Sequence, residues 1–189
     1  MSASDSAKPS GFSRVTITEL MIPSYANFWG KIHGGILLSL MDMVAYAAAS
    51  KHSGAYCVTV SVDTVDFLQP VEVGELVSLK ASVNYVGNSS MIIGIKVISE
   101  NVMLGTVKHT NTCYFTMVAK GKDEKPTQVP KLILENKTDV RRFVEAIRRK
   151  KNKQEYSVIL RELKNNSDDK DVSTILKGER CFLLRNLNG

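Results

Sequence analysis

The stretch at residues 36–49 is apolar or small except for Ser39 and one carboxylate, Asp42. A lone ionised carboxylate on a buried helix is costly, so it persists where it lines a cavity and does chemistry. There it can act as a general base toward water or attack an electrophilic carbon itself. From the residues alone, a structural aspartate that is capped by backbone or paired with a lysine is an equal alternative.

Several neighbours of Asp42 in the chain have complementary chemistry. Asn27 can donate from its amide to a developing oxyanion or position a water, although a loop asparagine is usually a turn residue. Gly34 and Gly35 precede the helix, so their N–H groups lie at its positive end, where an anionic oxygen can approach closely. His33 is interpreted as pocket-lining or hydrogen-bonding, because no GxSxG nucleophile elbow accompanies it. Thr59, on a strand, is a further candidate lining residue.

The composition limits the classes of protein that fit. The chain has 189 residues, of which 43% are hydrophobic, and this suits one domain with an appendage. Cys57, Cys113 and Cys181 form no CxxC pair, so neither a disulfide framework nor a zinc site is indicated. The longest apolar stretch, about fourteen residues, is shorter than the ~20 that a membrane span needs. No signal peptide is visible, and a cytoplasmic protein without a transmembrane segment is expected.

The elements that must position these residues follow from the periodicity. A half-buried strand is predicted first, then a helix that is apolar nearly all round, then four strands separated by turns. The predicted ranges are 12–20, 36–50, 56–67, 76–86, 91–99 and 102–118. Because the helix is the only available cover for the sheet, the class is α+β, with an antiparallel sheet wrapped around a long central helix. Open strand edges and one side of the helix are left for a second copy of the chain to close.

A basic segment follows a charged linker at residues 120–130. Residues 137–164 hold ten Lys and Arg against four Asp and Glu, and the rest of the chain is neutral. Val140, Phe143, Val144 and Ile147 recur at helical spacing, and this stripe is predicted to pack on the sheet or on a partner subunit. Attraction to anions, either the phosphates of a ligand or an acidic membrane surface, is a second interpretation. Nucleic acid binding is not expected, because no aromatic-interleaved basic surface or helix-turn-helix is present.

The order and spacing of the short motifs resemble the hotdog-fold acyl-CoA thioesterases over residues 12–132. The motifs are NFWGKIHGG at 27–35, MD at 41–42, VTVSVD at 58–63, DFLQPVEVG at 66–74, VGNSSM at 86–91, YFTMV at 114–118 and VP at 129–130. The resemblance implies a hotdog fold and an enzyme of fatty acid metabolism that hydrolyses fatty acyl-CoA to the free acid and CoA. No metal or other cofactor is implied, since CoA enters only as part of the substrate and product.

The same resemblance implies site residues and an assembly. It places Asp42 and Asn27 as a catalytic pair that face each other from different protomers of an obligatory dimer, often within a trimer of dimers. His33, Gly34, Gly35 and Thr59 become oxyanion or pocket residues. The small hydroxyl-bearing turn formed by Gly87, Asn88, Ser89 and Ser90 is assigned to the CoA diphosphate or pantetheine arm. The predicted domains are a flexible leader at 1–11, a hotdog thioesterase domain at 12–132 and a basic helical extension at 133–189.

Two other functions fit parts of the pattern. An acyl-CoA-sensing hotdog protein would bind without turnover and act through the basic extension, although both catalytic residues are retained. A hotdog dehydratase would pair a histidine with an acid, here His33 near Asp42. His33 also occupies a position where many members of the family carry Phe or Tyr, which affects the expected mouth of the acyl tunnel.

Overall fold

A computed structural model of the chain describes residues 6–165 and 175–181, which form seven strands and two α-helices. The C-terminal sequence CFLLRNLNG at 181–189 is apolar enough that we expect it to dock, and apart from Cys181 it lies outside the described residues. The elements in chain order are β1 (Ala7–Pro9), β2 (Val15–Leu20), α1 (Gly34–Ser53), β3 (Tyr56–Val62), β4 (Leu76–Val86), β5 (Ser90–Asn101), β6 (Thr106–Lys120), β7 (Lys131–Ile133) and α2 (Lys137–Asn165).

Five strands form one antiparallel sheet in the order β2-β4-β5-β6-β3. The predicted turns between β4, β5 and β6 join strands that are neighbours in this sheet. Strand β3 instead pairs with β6 at the far edge, because the long segment after Val62 carries the chain back across to β4. Strand β3 is shorter than the predicted range 56–67. The residues after it make isolated hydrogen bonds to β6, as when the Leu68 N–H donates to the Thr110 carbonyl at 2.9 Å.

Helix α1 covers one face of the sheet and supplies the centre of the core. Its buried residues recur at helical spacing: Leu37, Leu40, Met41, Val44, Ala45, Ala48, Ala49 and His52. The helix begins after His33 and ends at Gly54, whose φ of 71° is a left-handed conformation that favours glycine. The predicted α+β class, a sheet wrapped around a long helix, is what the structure has.

One side of α1 is not covered by this chain. Leu38, Met43 and Tyr46 are exposed on it, and Asp42 is exposed beside them. The prediction that Asp42 lies inside a buried helix is therefore wrong for a single copy of the chain. The helix is apolar nearly all round, but only part of its circumference faces the sheet.

The start of the chain is tied to the end of the sheet domain. Strand β1 pairs in parallel with β7, so ordered structure begins within the predicted leader at 1–11. Lys8 Nζ donates to the carbonyl of His52 at 2.6 Å, and His52 Nε2 lies 3.0 Å from the Pro130 carbonyl. Burial lowers the pKa of His52, and the positive charge of Lys8 lowers it further, against an opposing effect of the Pro130 hydrogen bond.

The first turns of α2 pack through a buried acid. Asp139 accepts from the Ser10 hydroxyl at 2.7 Å and pairs with Arg14 at 3.2 Å. Phe143 contacts the ring of Tyr85, with centroids 5.1 Å apart, and Ala146 is buried. The packed face of α2 therefore contains Asp139, Phe143 and Ala146. It is rotated by one residue from the predicted stripe, and it fixes how the helix is turned toward the sheet domain.

Of the predicted packing stripe, Phe143 packs on Tyr85 of the sheet, whereas Val140, Val144 and Ile147 are exposed in a single chain. Packing of these three residues on a partner subunit, the other expectation, stays a prediction. By internal contacts the chain divides into Met1–Ile147 and Arg148–Gly189. The described side chains of α2 from residue 150 to 164 are exposed, and Lys151 pairs loosely with Glu155 at 3.7 Å. Within residues 6–165 and 175–181, no helix combines the length and apolarity that a membrane crossing demands.

Candidate active site

Asp42 and Thr59 are brought into direct contact by α1 and β3. The Thr59 hydroxyl donates to Asp42 Oδ1 at 2.5 Å and lies 3.1 Å from Met117 Sδ. Thr59 faces α1 because it pairs in register with Met117, whose side chain points into the core. The hydroxyl fixes one carboxylate oxygen, and Oδ2 accepts no hydrogen bond from the residues that the structure describes, so it is available to a ligand.

An apolar groove of about 510 Å³ opens beside this pair. The groove is lined by Asp42, Met43, Tyr46, Tyr56, Cys57, Val58, Thr59 and Met117. Asp42 is the only Asp, Glu, Lys, Arg or His residue in this lining, so a ligand that enters the groove lies beside one carboxylate. The sequence prediction missed the other lining residues apart from Thr59, which are Met43, Tyr46, Tyr56, Cys57, Val58 and Met117. Tyr46 follows Asp42 by four positions, which places it on the same side of the helix and was a usable signal.

Asn27 lies in a tight turn, and its side chain closes that turn. Its Oδ1 accepts from the backbone N–H groups of Trp29 at 2.9 Å and Lys31 at 3.1 Å. Gly30 supplies the positive φ, 75°, that the turn needs. Because Oδ1 already accepts these two backbone hydrogen bonds, the group of Asn27 that can bind a substrate is the Nδ2 amide, as a hydrogen-bond donor.

No described contact joins Asn27 to Asp42 within one chain. The turn instead presents Phe28 and Trp29, which are almost completely exposed. Lys31 beside them is paired with Glu72 at 2.5 Å, so the base of the turn is fixed while its tip projects. Two adjacent aromatic side chains in water are unusual unless another surface covers them.

His33 has a structural position at the start of α1. Its Nδ1 accepts from the Gly35 N–H at 2.9 Å, which caps the helix. The neutral ring therefore carries its proton on Nε2. Contrary to the expectation for an oxyanion donor, the Gly35 N–H is already used in this structure. A Cβ at Gly35 would lie 2.9 Å from Nδ1, so the contact itself requires glycine.

Gly34 differs from Gly35, because its N–H donates to no group in the part of the chain that the structure describes. A Cβ there would make an ordinary van der Waals contact of 3.5 Å with the ring of Phe67, so packing does not by itself require glycine at this position. Gly34 is thus the remaining backbone donor at the positive end of α1. No described contact joins His33 to Asp42, so the pair expected of a dehydratase does not form within one chain.

The turn from Gly87 to Ser90 connects β4 to β5. Its carbonyls accept from the chain that follows: Ser89 from the Ala119 N–H and Asn88 from the Val129 N–H, both at 2.9 Å. Ser90 is the register partner of Val118, the residue that follows Met117 of the groove. The turn is therefore two strands from Thr59 along the sheet. Its place in CoA binding stays a prediction.

Comparison with known proteins gives the family. Residues 30–106 match the model described as the Thioesterase superfamily. Protein VdlD of Helicobacter pylori is 44% identical over 138 residues, which are 73% of this chain and 79% of that protein. A Bacillus subtilis protein named as uncharacterized acyl-CoA thioester hydrolase YkhA is 34% identical over 151 residues, 78% of this chain and 88% of its own. The chain belongs to the hotdog-fold acyl-CoA thioesterase family. The predicted family, fold class and enzyme class are thereby confirmed.

Solved structures of hotdog thioesterases agree. An apo-hexameric acyl-CoA thioesterase has a TM-score of 0.78 at 32% identity, covering 80% of this chain and 97% of that one. The acyl-CoA hydrolase of Staphylococcus aureus, in complex with butyryl-CoA, CoA and CoA disulfide, has a TM-score of 0.76 at 27% identity, covering 84% and 97%. Further structures of that hydrolase carry alanine in place of an asparagine, an aspartate or a threonine, at positions separated by 15 and 17 residues.

Proposed function

We propose that this hotdog thioesterase hydrolyses fatty acyl-CoA to a free fatty acid and CoA, with Asp42 as the reacting carboxylate. The observation that carries the proposal is the 2.5 Å hydrogen bond from Thr59 to Asp42 at the wall of an apolar groove. An acyl chain fits the groove by burial of its methylenes. The thioester carbonyl then lies beside the one carboxylate in the lining.

As a general base, Asp42 takes a proton from water while the water oxygen bonds to the thioester carbonyl carbon. The π electrons of the carbonyl move to its oxygen, and they return to the carbon as the C–S bond breaks. The proton then passes from Asp42 to the departing CoA thiolate. As a nucleophile, Oδ2 bonds to the carbonyl carbon first, the C–S bond breaks and the CoA thiolate leaves with a proton from solvent, and water later cleaves the resulting anhydride. After a single turnover in H₂¹⁸O, label in the Asp42 side chain would identify the second route, with water attacking the aspartyl carbon of the anhydride.

The negative charge that develops on the carbonyl oxygen requires donors. The partner subunit's Asn27 offers Nδ2, because in each chain the Oδ1 of this residue is held by its own turn. The Gly34 N–H at the start of α1 is the second donor. Loss of one oxyanion donor typically lowers kcat by about 10²- to 10³-fold.

A second copy of the chain is needed because Asn27 and Asp42 do not meet in one. Strand β3 ends the sheet with Tyr56, Val60 and Val62 exposed, a free apolar edge suited to pairing with another copy. Asn27, Asp42 and Thr59 are separated by 15 and 17 residues, the spacings of the three substituted positions in the Staphylococcus aureus hydrolase. The hexameric thioesterase among the similar structures supports a trimer of dimers.

The CoA moiety is assigned to the turn at residues 87–90, whose small side chains and N–H groups suit a diphosphate or a pantetheine amide. A Cβ at Gly87 would lie 2.8 Å from Ser90 Oγ, so glycine lets that hydroxyl fold over the turn. CoA serves only as part of the substrate and product in this reaction. The cytoplasmic location and the absence of a nucleic acid partner remain predictions.

Release of free thiol from acyl-CoAs, from acetyl to palmitoyl, tests the activity and ranks the substrates. Asp42→Ala is expected to lower kcat by about two orders of magnitude or more while the protein stays folded, because Asp42 is exposed and contributes little packing. Wild-type protein that binds acyl-CoA but releases no thiol would overturn the proposal. That result would also favour the acyl-CoA-sensing alternative, which no observation here supports.

Complementation tests the partner's role of Asn27. Asp42→Ala and Asn27→Ala chains are each nearly inactive, but co-expressed they form mixed dimers in which one of the two sites has both native residues. Random pairing then restores about one quarter of wild-type activity. If both residues served one chain's own site, every mixed site would carry a defect, and the mixture would stay inactive.

A further inference from the structure

A second cavity, of about 240 Å³, lies on the face of the sheet opposite to α1. Along β4, the buried Leu79, Ala81 and Val83 point toward α1, and Lys80, Ser82 and Asn84 alternate with them on the outer face. Arg141, Arg142 and Glu145 from the first turns of α2 form one wall of the cavity. All lining residues belong to the unit Met1–Ile147. This cavity is therefore separate from the groove of Asp42 and Thr59.

The cavity concentrates positive charge. Lys80 and Lys96 are register partners on adjacent antiparallel strands, so two like charges stand directly opposite, an arrangement that destabilises a sheet. Neither lysine, nor Arg142, forms an ion pair within the described part of the chain. Arg141 is tied to Glu145 at 2.6 Å, the one carboxylate in the lining. Four cations against one anion leave an excess of three positive charges in the cavity.

The floor of the cavity is shaped for a close approach. A Cβ added at Gly94 would collide with Asn84 Nδ2, so the glycine allows the Asn84 amide to lie across the strand. The Ser82 hydroxyl donates to Asn84 Oδ1 at 2.9 Å, which orients the amide with its NH₂ group toward Gly94. The lining thus joins ammonium and guanidinium groups to an oriented amide and hydroxyls, and its polar surface exceeds its apolar surface.

We propose that this outer-face cavity binds a small phosphate-bearing anion. Guanidinium groups recognise phosphate oxygens in a bidentate way, and lysines neutralise them as point charges. The volume is below the ~300–1,000 Å³ of pockets that take drug-sized ligands, so a compact ligand of several negative charges fits best. The phosphate can come from a free metabolite or from the phosphates of CoA bound to a neighbouring subunit, because both present the same chemistry.

Calorimetric titration with inorganic pyrophosphate at low ionic strength tests the site. Wild type and the double variant Lys80→Gln/Lys96→Gln are compared with a charge-matched control, Lys122→Gln/Lys125→Gln, in an exposed turn remote from the cavity. We expect saturable binding to wild type and the control, and weakening by about tenfold or more in the cavity variant, since each lost charged hydrogen bond costs about tenfold or more. Absence of saturable binding, or equal weakening in the control, overturns the proposal.

The thioesterase assay identifies the source of the phosphate. If the cavity variant loses pyrophosphate binding while KM for acyl-CoA is unchanged, the ligand is a free phosphate-bearing molecule. If KM rises by a similar factor, the cavity holds the phosphates of CoA. One more check is whether Lys80 and Lys96 react with an acylating reagent in the ligand-free assembly, as exposed lysines do. Protection of Lys80 and Lys96 there would show that another copy of the chain covers this face, and the proposal would fail.

Discussion

Replacing Thr59 by valine removes the hydroxyl that holds Asp42 and keeps the shape of the side chain. A hydrogen bond to a charged group is worth about 1.5–3 kcal/mol, or about 10- to 150-fold. Two effects of its loss oppose each other. The free carboxylate is a slightly stronger base, which raises the rate, but it is no longer held at the productive angle. Misplacement of a reacting group by about 1 Å costs about 10²-fold, so orientation dominates.

We therefore expect Thr59→Val to lower kcat by about 10- to 100-fold, with KM for acyl-CoA changed by less than about threefold. Thr59→Ser keeps the hydroxyl and should recover most of kcat. Initial rates of thiol release over a range of acyl-CoA concentrations give both constants, and the thermal unfolding temperature checks that the fold is intact.

Thr18→Val is the matched control, because its hydroxyl bonds the Ser78 hydroxyl at 2.9 Å on an exposed part of the sheet. The control should leave both kinetic constants unchanged. A kcat for Thr59→Val equal to or above that of wild type would refute the positioning argument, since basicity would then outweigh orientation. A serine variant as slow as the valine variant would also refute it, because the hydroxyl would not be the group that matters.

Three further outcomes follow from buried groups. The pKa of His52 is lowered from 6.5, so its neutral form is favoured on folding. The resulting stability is present above pH 6.5 and is lost as the pH falls below it, and thermal unfolding temperatures from pH 8 to 5 should fall more steeply in wild type than in His52→Gln. Burial raises the pKa of the Cys113 thiol to about 12, so in native protein at pH 8 a thiol reagent should modify exposed Cys181 and spare Cys113. Asp139→Ala leaves buried donors unsatisfied and should lower the free energy of unfolding by about 1–3 kcal/mol, read from urea denaturation. A flat pH response in wild type, rapid labelling of Cys113 or an unchanged urea midpoint would contradict the respective argument.

Much of the fold was predictable because periodicity reports burial directly. The range 76–86 was predicted for β4 and is observed, since inward and outward residues alternate along its length. On α2, the face that packs within the chain is rotated by one residue from the predicted stripe, for a different reason. Its register is set by Asp139, a buried acid that any hydrophobicity pattern treats as solvent-facing. A contact between Asp139 and residues more than a hundred positions away leaves no trace in local periodicity.

The candidate site, like the fold, was predicted only in part from the sequence. Asp42 and Thr59 were both predicted, and the structure joins them, because a helix position and a strand position are enough to bring them to one face. The Gly35 N–H was misjudged, because its partner is decided by the rotamer of His33, which the residue types do not specify. The groove residues were missed for another reason. Met43 and Tyr46 are apolar residues of an apolar helix, so hydrophobicity alone assigns them to the core, although both are exposed. The four-residue spacing of Tyr46 from Asp42 was the signal that could have found it.

The distribution of exposed apolar surface links assembly to catalysis. Phe28 and Trp29 project beside Asn27, and Met43 and Tyr46 flank Asp42. Both halves of the proposed catalytic pair are thus surrounded by apolar surface that a single chain leaves in water. Covering that surface in a dimer would also remove water from Asp42 and strengthen its electrostatic interactions at the reacting thioester. A single chain can therefore tolerate Asp42 at little cost, because the carboxylate is hydrated there and would lose that water only in the proposed dimer.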